Sequence, residues 1–153
     1  MKSVQETFAP QNACFGCGPA NEQGLRIRSF EEGEELVCTW TPEEHHKAFD
    51  NVLNGGICGA LMDCHSNWAA TIYLMKKTGS ATPPCTVTAD FHVFLKRPTP
   101  MTGPLQLRAR VVESPSDDRA VIEATIEAGG KITCTCRGTF VAVKEGHPAY
   151  HRW

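Results

Sequence analysis

The stretch that decides the fold runs Asn54-Gly-Gly-Ile-Cys-Gly-Ala-Leu-Met-Asp63 and continues as Cys-His-Ser-Asn-Trp-Ala-Ala-Thr-Ile-Tyr-Leu-Met-Lys-Lys77. Its apolar residues recur at spacings of three and four, which predicts one long helix from Gly55 to about Lys77. Two lysines fill the last turn, where cations suit the negative end of the helix dipole, and Gly79 follows as a stop. The apolar stripe predicts a largely buried helix; it consists of Ile57, Ala60, Leu61, Cys64, Trp68, Ile72 and Met75.

Six other segments have the apolar alternation of strands. They are residues 25–30, 36–41, 85–95, 105–113, 120–128 and 132–143. The charged turn 31–34, the pair Asp117-Asp118 and the pair Gly129-Gly130 give short links, which favour antiparallel neighbours. The order of two strands, a long helix and four strands predicts an α+β domain. One curved antiparallel sheet would wrap around a single central helix, as in the hotdog fold.

The bulk composition fits one globular domain over 1–153, with 41% hydrophobic residues and a formal net charge of −2. That charge argues against nucleic-acid partners, which call for a strongly basic surface. No run of residues has the length and apolarity of a membrane span, so we expect a cytoplasmic protein without a membrane partner. Residues 1–24 are expected to form a covering segment, in which residues 1–13 are either loosely held or folded across the surface.

Eight cysteines fall into two groups. Six lie in apolar patterns and are expected to be reduced core thiols: Cys38, Cys58, Cys64, Cys85, Cys134 and Cys136. Cys14 and Cys17 form a CxxC, which is half of a zinc knuckle or a redox pair. Because no second CxxC and no paired-histidine motif follows, we prefer a structural turn here and predict neither a metal nor a cofactor.

The helix start and Asp63 are the candidates for chemistry. Backbone N–H groups at a helix N-terminus lack partners and carry partial positive charge, and Gly55 and Gly56 would let a carbonyl oxygen approach them. Alternatively, Asn54 is an N-cap and the glycines only permit a tight turn. Asp63 lies within a helix expected to be buried, where a carboxylate is costly, so it is either functional or paired with a group such as His65.

The spacing of these two features carries a prediction about assembly. Gly55 and Asp63 are eight residues apart, which is about 12 Å along a helix. One acyl carbon could not contact both groups of the same chain. If both act on it, they come from different subunits, and the protein is at least a homodimer.

Three segments resemble the PaaI-like acyl-CoA thioesterases. The first is Asn51-Val-Leu-Asn-Gly-Gly followed by Asp63, which is similar to the His-Gly-Gly signature with its helical carboxylate. The others are Cys14-Phe-Gly-Cys-Gly-Pro-Ala-Asn-Glu-Gln-Gly-Leu25 and Phe94-Leu-Lys-Arg-Pro-Thr-Pro100. They occur in the order of that family and span most of the chain.

The resemblance implies hydrolysis of an acyl-CoA thioester by a homodimer, assembled as a dimer of dimers. The N–H of Gly55 would polarise the carbonyl, and Asp63 of the other subunit would act as general base or nucleophile. Thr88 would orient the water or the carboxylate. Lys96 and Arg97 would meet coenzyme A phosphates, unless they are only a solvated strand end.

Asn51, His65 and Trp68 complete the candidate contacts to substrate. His65 would reach a partner's site through the subunit interface or serve in packing, and Trp68 would line the acyl pocket or belong to the core. Two positions depart from the family pattern: Asn54 replaces the usual histidine and does not titrate near neutrality, and Ala48 replaces an asparagine.

Two other functions are compatible with the same fold. A non-catalytic acyl-CoA binder or sensor would bind the thioester without turnover. A hydratase or dehydratase ranks lower, because its usual Asp/His pair on the turn after the first strands is not evident.

Overall fold

A computed structural model describes residues 1–151 of the chain. Two α-helices, one 3₁₀ turn and eight strands make up the structure. In chain order they are α1 (Val4–Phe8), β1 (Phe30–Glu32), β2 (Glu35–Trp40), the 3₁₀ turn (Glu44–His46), β3 (Lys47–Phe49), β4 (Val52–Leu53), α2 (Gly55–Thr78), β5 (Thr86–Leu95), β6 (Leu105–Ser116), β7 (Arg119–Ala128) and β8 (Lys131–Ala142).

The predicted long helix is confirmed as α2. Asn54 caps its start by accepting the N–H of Ile57, and Gly79 ends it in the left-handed conformation at φ 68°. One face is buried along the whole helix, and its large members include Leu61, Met62, His65, Trp68, Ile72 and Leu74. Within residues 1–151, no helix combines the length and the hydropathy needed to cross a membrane.

Six strands form one antiparallel sheet in the order β1-β2-β6-β7-β8-β5. The predicted turns at Asp117-Asp118 and Gly129-Gly130 join consecutive strands, and both glycines have positive φ. The buried residues of β7 alternate along the strand and face α2, namely Ala120, Ile122, Ala124, Ile126 and Ala128. The α+β prediction, one antiparallel sheet around one central helix, is confirmed. A separate hairpin of β3 and β4 leads into α2.

The first predicted strand is wrong in its bounds. Residues 25–29 are not extended strand, and only Phe30–Glu32 pairs with β2. Leu25 and Ile27 are buried as their alternation indicated, but their N–H groups donate to Phe15 and Gly16. Arg26 between them has φ 58°, which breaks the extended conformation. The backbone here therefore bonds the CxxC loop.

The N-terminal residues are folded across the body of the protein, the second of the two alternatives. Ser3 and Glu6 form a capping box that begins α1. The side chain of Gln5 is buried and donates to Ser29 Oγ at 2.9 Å. This segment therefore closes one side of the core.

Candidate active site

Asp63 lies half-buried on α2, opposite β5. Thr88 Oγ1 donates a hydrogen bond of 2.6 Å to Asp63 Oδ1. The register of β5 against β8 shifts directly after Thr88. Burial raises the pKa of the Cys136 thiol on β8 to about 11, and the charge of Asp63 adds to that effect. Thr88 therefore orients the carboxylate of Asp63, and the charge of this carboxylate also acts on Cys136 of the strand β8.

A cavity of about 200 Å³ includes Asp63 in its wall. The other lining residues come from α2 and from the N-terminal loop: Asn12, Cys14, Cys17, Cys64, Asn67 and Trp68. A larger groove of about 930 Å³ lies by the end of α2, lined among others by Glu31, Tyr73 and Lys76. It is open, and its Lys76 and Glu31 form an ion pair. We place the candidate site at the smaller cavity because the oriented carboxylate is there.

The start of α2 presents backbone donors. Residues 1–151 supply no acceptor for the N–H groups of Gly55 and Gly56. A Cβ on Gly56 would approach Asn54 Oδ1 to 2.9 Å, and that oxygen caps the helix 3.1 Å from the N–H of Ile57. Asn54 is therefore an N-cap, as the alternative interpretation held. The free N–H groups remain available for an oxyanion.

The helix is continuous from Gly55 to Asp63, so the eight-residue spacing keeps its length of about 12 Å. The Thr88–Asp63 pair and the free N–H groups lie about two turns apart. Within one chain these two features are therefore separate.

Two predicted substrate contacts, His65 and Asn51, have other partners within the chain. His65 is fully buried, Ser29 Oγ lies 2.9 Å from its Nδ1, and its Nε2 lies 2.9 Å from the carbonyl oxygen of Leu36. Both ring nitrogens are thus engaged in the core, which agrees with the packing alternative for His65 and not with a contact to substrate. The exposed Asn51, at φ 59°, accepts the N–H of Met101 and shapes the turn before α2.

Trp68 is buried and lines the cavity beside Asp63, and its Nε1 donates to Cys17 Sγ at 3.3 Å. Lys96 and Arg97 are exposed at the end of β5, and both of their backbone N–H groups donate to Thr133. Leu95, directly before them, lies 3.0 Å from the position a Cβ would take on Gly55. The cations therefore follow a residue that contacts the helix start.

The sequence interpretation missed three residues of this cavity. Asn67 lies one helical turn after Asp63, a spacing that could have shown it. Asn12 is buried and accepts the N–H of Cys14 at 2.8 Å. Cys64, assigned to the core, brings a third sulfur to Cys14 and Cys17. The prediction of no metal rested on the absence of a second CxxC or paired-histidine motif. Cys64 supplies a third sulfur from outside any such motif, so that reason no longer holds.

No protein-family model matches the sequence, and no curated protein matches it either. Solved structures do. A thioesterase superfamily protein from Shewanella loihica superposes with a TM-score of 0.67 at 23% identity, over 82% of this chain and 98% of that chain. The fold is the hotdog fold.

Two further hotdog structures agree with this assignment. A thioesterase from Haemophilus influenzae gives a TM-score of 0.67 at 21% identity, over 80% of this chain and 84% of its own. A phenylacetic acid degradation-related protein from Ralstonia eutropha gives a TM-score of 0.67 at 19% identity, over 83% of this chain and 92% of its own. The structural neighbours are thus thioesterase superfamily proteins, and at these identities the likeness establishes the hotdog fold alone.

Proposed function

We propose that this protein is an acyl-CoA thioesterase whose site is shared between two subunits. The observation that carries the proposal is the hydrogen bond between Thr88 and Asp63, which holds a carboxylate at a cavity of a hotdog domain. A thioester hydrolase needs a positioned base or nucleophile and a polarised carbonyl. The chain offers Asp63 for the first and the N–H of Gly55 for the second.

In the proposed reaction, a water molecule attacks the thioester carbon while Asp63 accepts its proton. The N–H groups at the start of the partner's α2 stabilise the negative charge that develops on the carbonyl oxygen. The carbon–sulfur bond then breaks, and coenzyme A leaves as a thiolate that takes up the proton. Alternatively, Asp63 attacks directly and water hydrolyses the resulting anhydride. Hydroxylamine trapping distinguishes the routes, because it converts an anhydride on Asp63 into a stable hydroxamate that the general-base route cannot form; ¹⁸O found in Asp63 after a single turnover in ¹⁸O water would also identify the anhydride, hydrolysed at the Asp63 carbonyl.

The free edge of the sheet supports a homodimer. β5 is the last strand of the sheet, and it carries Phe94 at 63% exposure, Leu95 at 56% and Phe91 at 40%. β5 pairs with β8 on one side only, and an edge strand with this much exposed apolar surface is expected to be covered by another chain. A second copy that pairs along β5 would also bring its own helix start towards Asp63. Two such dimers would make the dimer of dimers that the family resemblance implies.

The coenzyme A end of the substrate fits the end of β5. Lys96 and Arg97 are exposed there, and neither forms a side-chain ion pair within residues 1–151. Phosphate groups are recognised by such cations. Leu95 connects them to the helix start at which the thioester carbonyl would lie.

The deciding experiment compares the wild-type protein with Asp63→Asn on a panel of acyl-CoAs that includes aryl-acetyl and medium-chain aliphatic esters. Free thiol release measures turnover, and calorimetry with coenzyme A measures binding. We expect wild-type turnover, and a loss of at least about 100-fold in kcat for Asp63→Asn with binding retained. Full activity of the variant would show that Asp63 is not the catalytic group.

The same measurements separate a thioesterase from an acyl-CoA sensor. A sensor would bind the esters tightly in calorimetry and release no thiol from any of them. That result, obtained with folded wild-type protein, would overturn the proposed activity while leaving the fold and the binding site in place.

A further inference from the structure

Three cysteine sulfurs meet beside the cavity. Cys14 and Cys17 come from the N-terminal loop and Cys64 from α2, and the three Sγ atoms all lie within 4.8 Å of one another. Cys14 Sγ and Cys64 Sγ are 3.7 Å apart. In a tetrahedral zinc site with bonds of about 2.3 Å, neighbouring sulfurs are about 3.8 Å apart. The separation thus matches that of two ligands on one metal ion and far exceeds a disulfide bond.

Glycines make this approach possible. A Cβ on Gly16 would lie 2.3 Å from Cys64 Sγ, so any side chain there would displace the third sulfur. A Cβ on Gly18 would lie 2.4 Å from the backbone oxygen of Asn12. The loop is held in this shape by the N–H of Gly18, which donates to Cys14, and by the N–H of Ile27, which donates to Gly16. The loop therefore presents its two cysteines to the helix in a fixed geometry.

Hydrogen-bond donors surround the sulfurs. The buried indole of Trp68 donates to Cys17 Sγ at 3.3 Å. The backbone N–H groups of Gly16 and Cys17 also donate towards Cys14. Metals bind cysteine as thiolate, and N–H donors around the ligands stabilise that form and fix its orientation. The hydrogen bond from Trp68 would thus stabilise the thiolate of Cys17, a role other than the predicted contact with substrate or packing in the core.

We propose that Cys14, Cys17 and Cys64 bind one divalent cation. Three thiolate ligands favour Zn²⁺. The fourth position is taken by a water molecule on the side of the cavity that Asp63 lines. Each thiol that coordinates releases its proton to the solvent. The ion would join the N-terminal loop to α2 at the residue after Asp63 and thereby fix one wall of the cavity. This proposal does not depend on the thioesterase activity.

The test uses the full-length protein, reduced and stripped of metal, and titrates it with Co²⁺. We expect saturation at about one equivalent, with a sulfur-to-cobalt charge-transfer band and the visible bands of a tetrahedral ion, both removed by Zn²⁺. Cys14→Ala, Cys17→Ala and Cys64→Ala should each lose the charge-transfer band. Cys85→Ala is the matched control, because it removes a buried thiol outside the cluster and should keep it. Asp63→Asn should also keep it, which separates the metal site from the catalytic proposal.

A second measurement needs no variant and so does not depend on folding of the mutants. Wild-type protein is alkylated with and without Zn²⁺, and the modified cysteines are mapped by mass spectrometry. Zn²⁺ should protect the exposed Cys14 together with Cys17 and Cys64, and leave Cys85 unchanged. A wild-type protein that shows no charge-transfer band and no protection of Cys14 would overturn the proposal.

Discussion

Thr88 Oγ1 donates to Asp63 Oδ1 at 2.6 Å, across the contact between β5 and α2. The two residues are 25 positions apart in the chain. The distance is typical of a hydroxyl bound to an ionised carboxylate. Asp63 therefore has a fixed orientation before any substrate binds, which is what a base or nucleophile requires.

Thr88→Val is expected to lower kcat on the order of 10-fold, because it removes the hydrogen bond and keeps the shape of the side chain. KM should change little, since the proposed role of Thr88 is to position Asp63 and not to bind coenzyme A. Thr88→Ser should restore most of the activity. Steady-state kinetics of free thiol release check this. Equal losses for valine and serine would contradict the positioning role.

Gly55→Pro tests the backbone donor alone. Proline lacks the N–H and is well tolerated at the first position of a helix, and Asn54, at φ −57° and ψ 130°, has the conformation that precedes proline. We expect a loss of about 100-fold or more in kcat. Gly55→Ala is the matched control, because it adds the same contact with Leu95 and keeps the N–H. If both variants lose activity equally, crowding at Leu95 rather than the lost donor explains the effect.

The proposal that the site is shared between two subunits predicts complementation between inactive subunits. Dimers of Gly55→Pro alone and of Asp63→Asn alone should both be nearly inactive. In a mixed dimer, one site combines the intact Gly55 of one subunit with the intact Asp63 of the other. Equal co-expression should therefore restore about a quarter of the wild-type activity. Tagged heterodimers, purified from this mixture, should show about half of the wild-type activity per dimer, because one of their two sites is intact. A site contained within one subunit would show no recovery in either assay.

Phe94→Glu places a charge on the exposed edge strand β5 and is expected to convert the protein to a monomer that no longer hydrolyses acyl-CoA. The charge would have to be desolvated if a second copy covered this edge. Tyr73→Glu is the control, because Tyr73 is also an exposed aromatic residue but lies on α2. Light scattering gives the mass of each species. A Phe94→Glu protein of unchanged mass would place the subunit contact elsewhere.

His65 makes folding stability depend on pH. Burial lowers its pKa from 6.5 to about 4 in the folded protein. The unfolded chain therefore binds the proton more readily between these values, and the free energy of unfolding falls as the pH decreases. This effect of His65 on the free energy of unfolding is on the order of 3 kcal/mol. The stability is highest above about pH 6.5, decreases as the pH falls towards 4 and then no longer changes through this residue.

Urea unfolding of the wild type and of His65→Gln at pH 7.5, 6.5, 5.5 and 4.5 tests this dependence. The lower three values span the range in which the unfolded chain binds the proton and folded His65 does not. The variant should be less stable at neutral pH, because Ser29 and Leu36 lose their partner, and its stability should change less with pH. Parallel curves for the two proteins would assign the pH dependence to other groups.

The sequence by itself determined α2, the strands β2 and β5 to β8, and their order. The three- and four-residue spacing of α2, with Gly79 after it, predicted a helix that the structure confirms to within a residue or two. The glycine and aspartate pairs placed the turns of the later strands. Local patterns suffice here because helix caps and turns are set by neighbouring residues. The strand predicted at residues 25–30 failed because its partner, the CxxC loop, is a tertiary contact.

Only the tertiary structure decided which side chains meet. It brought Thr88 to Asp63, which the family resemblance had suggested but no spacing within the chain could show. It placed Cys64 beside Cys14 and Cys17, and it buried His65 between Ser29 and Leu36. Such contacts depend on how a strand and a loop pack on one helix face. Periodicity describes each element alone, so it predicts which face is buried and leaves open what the face touches.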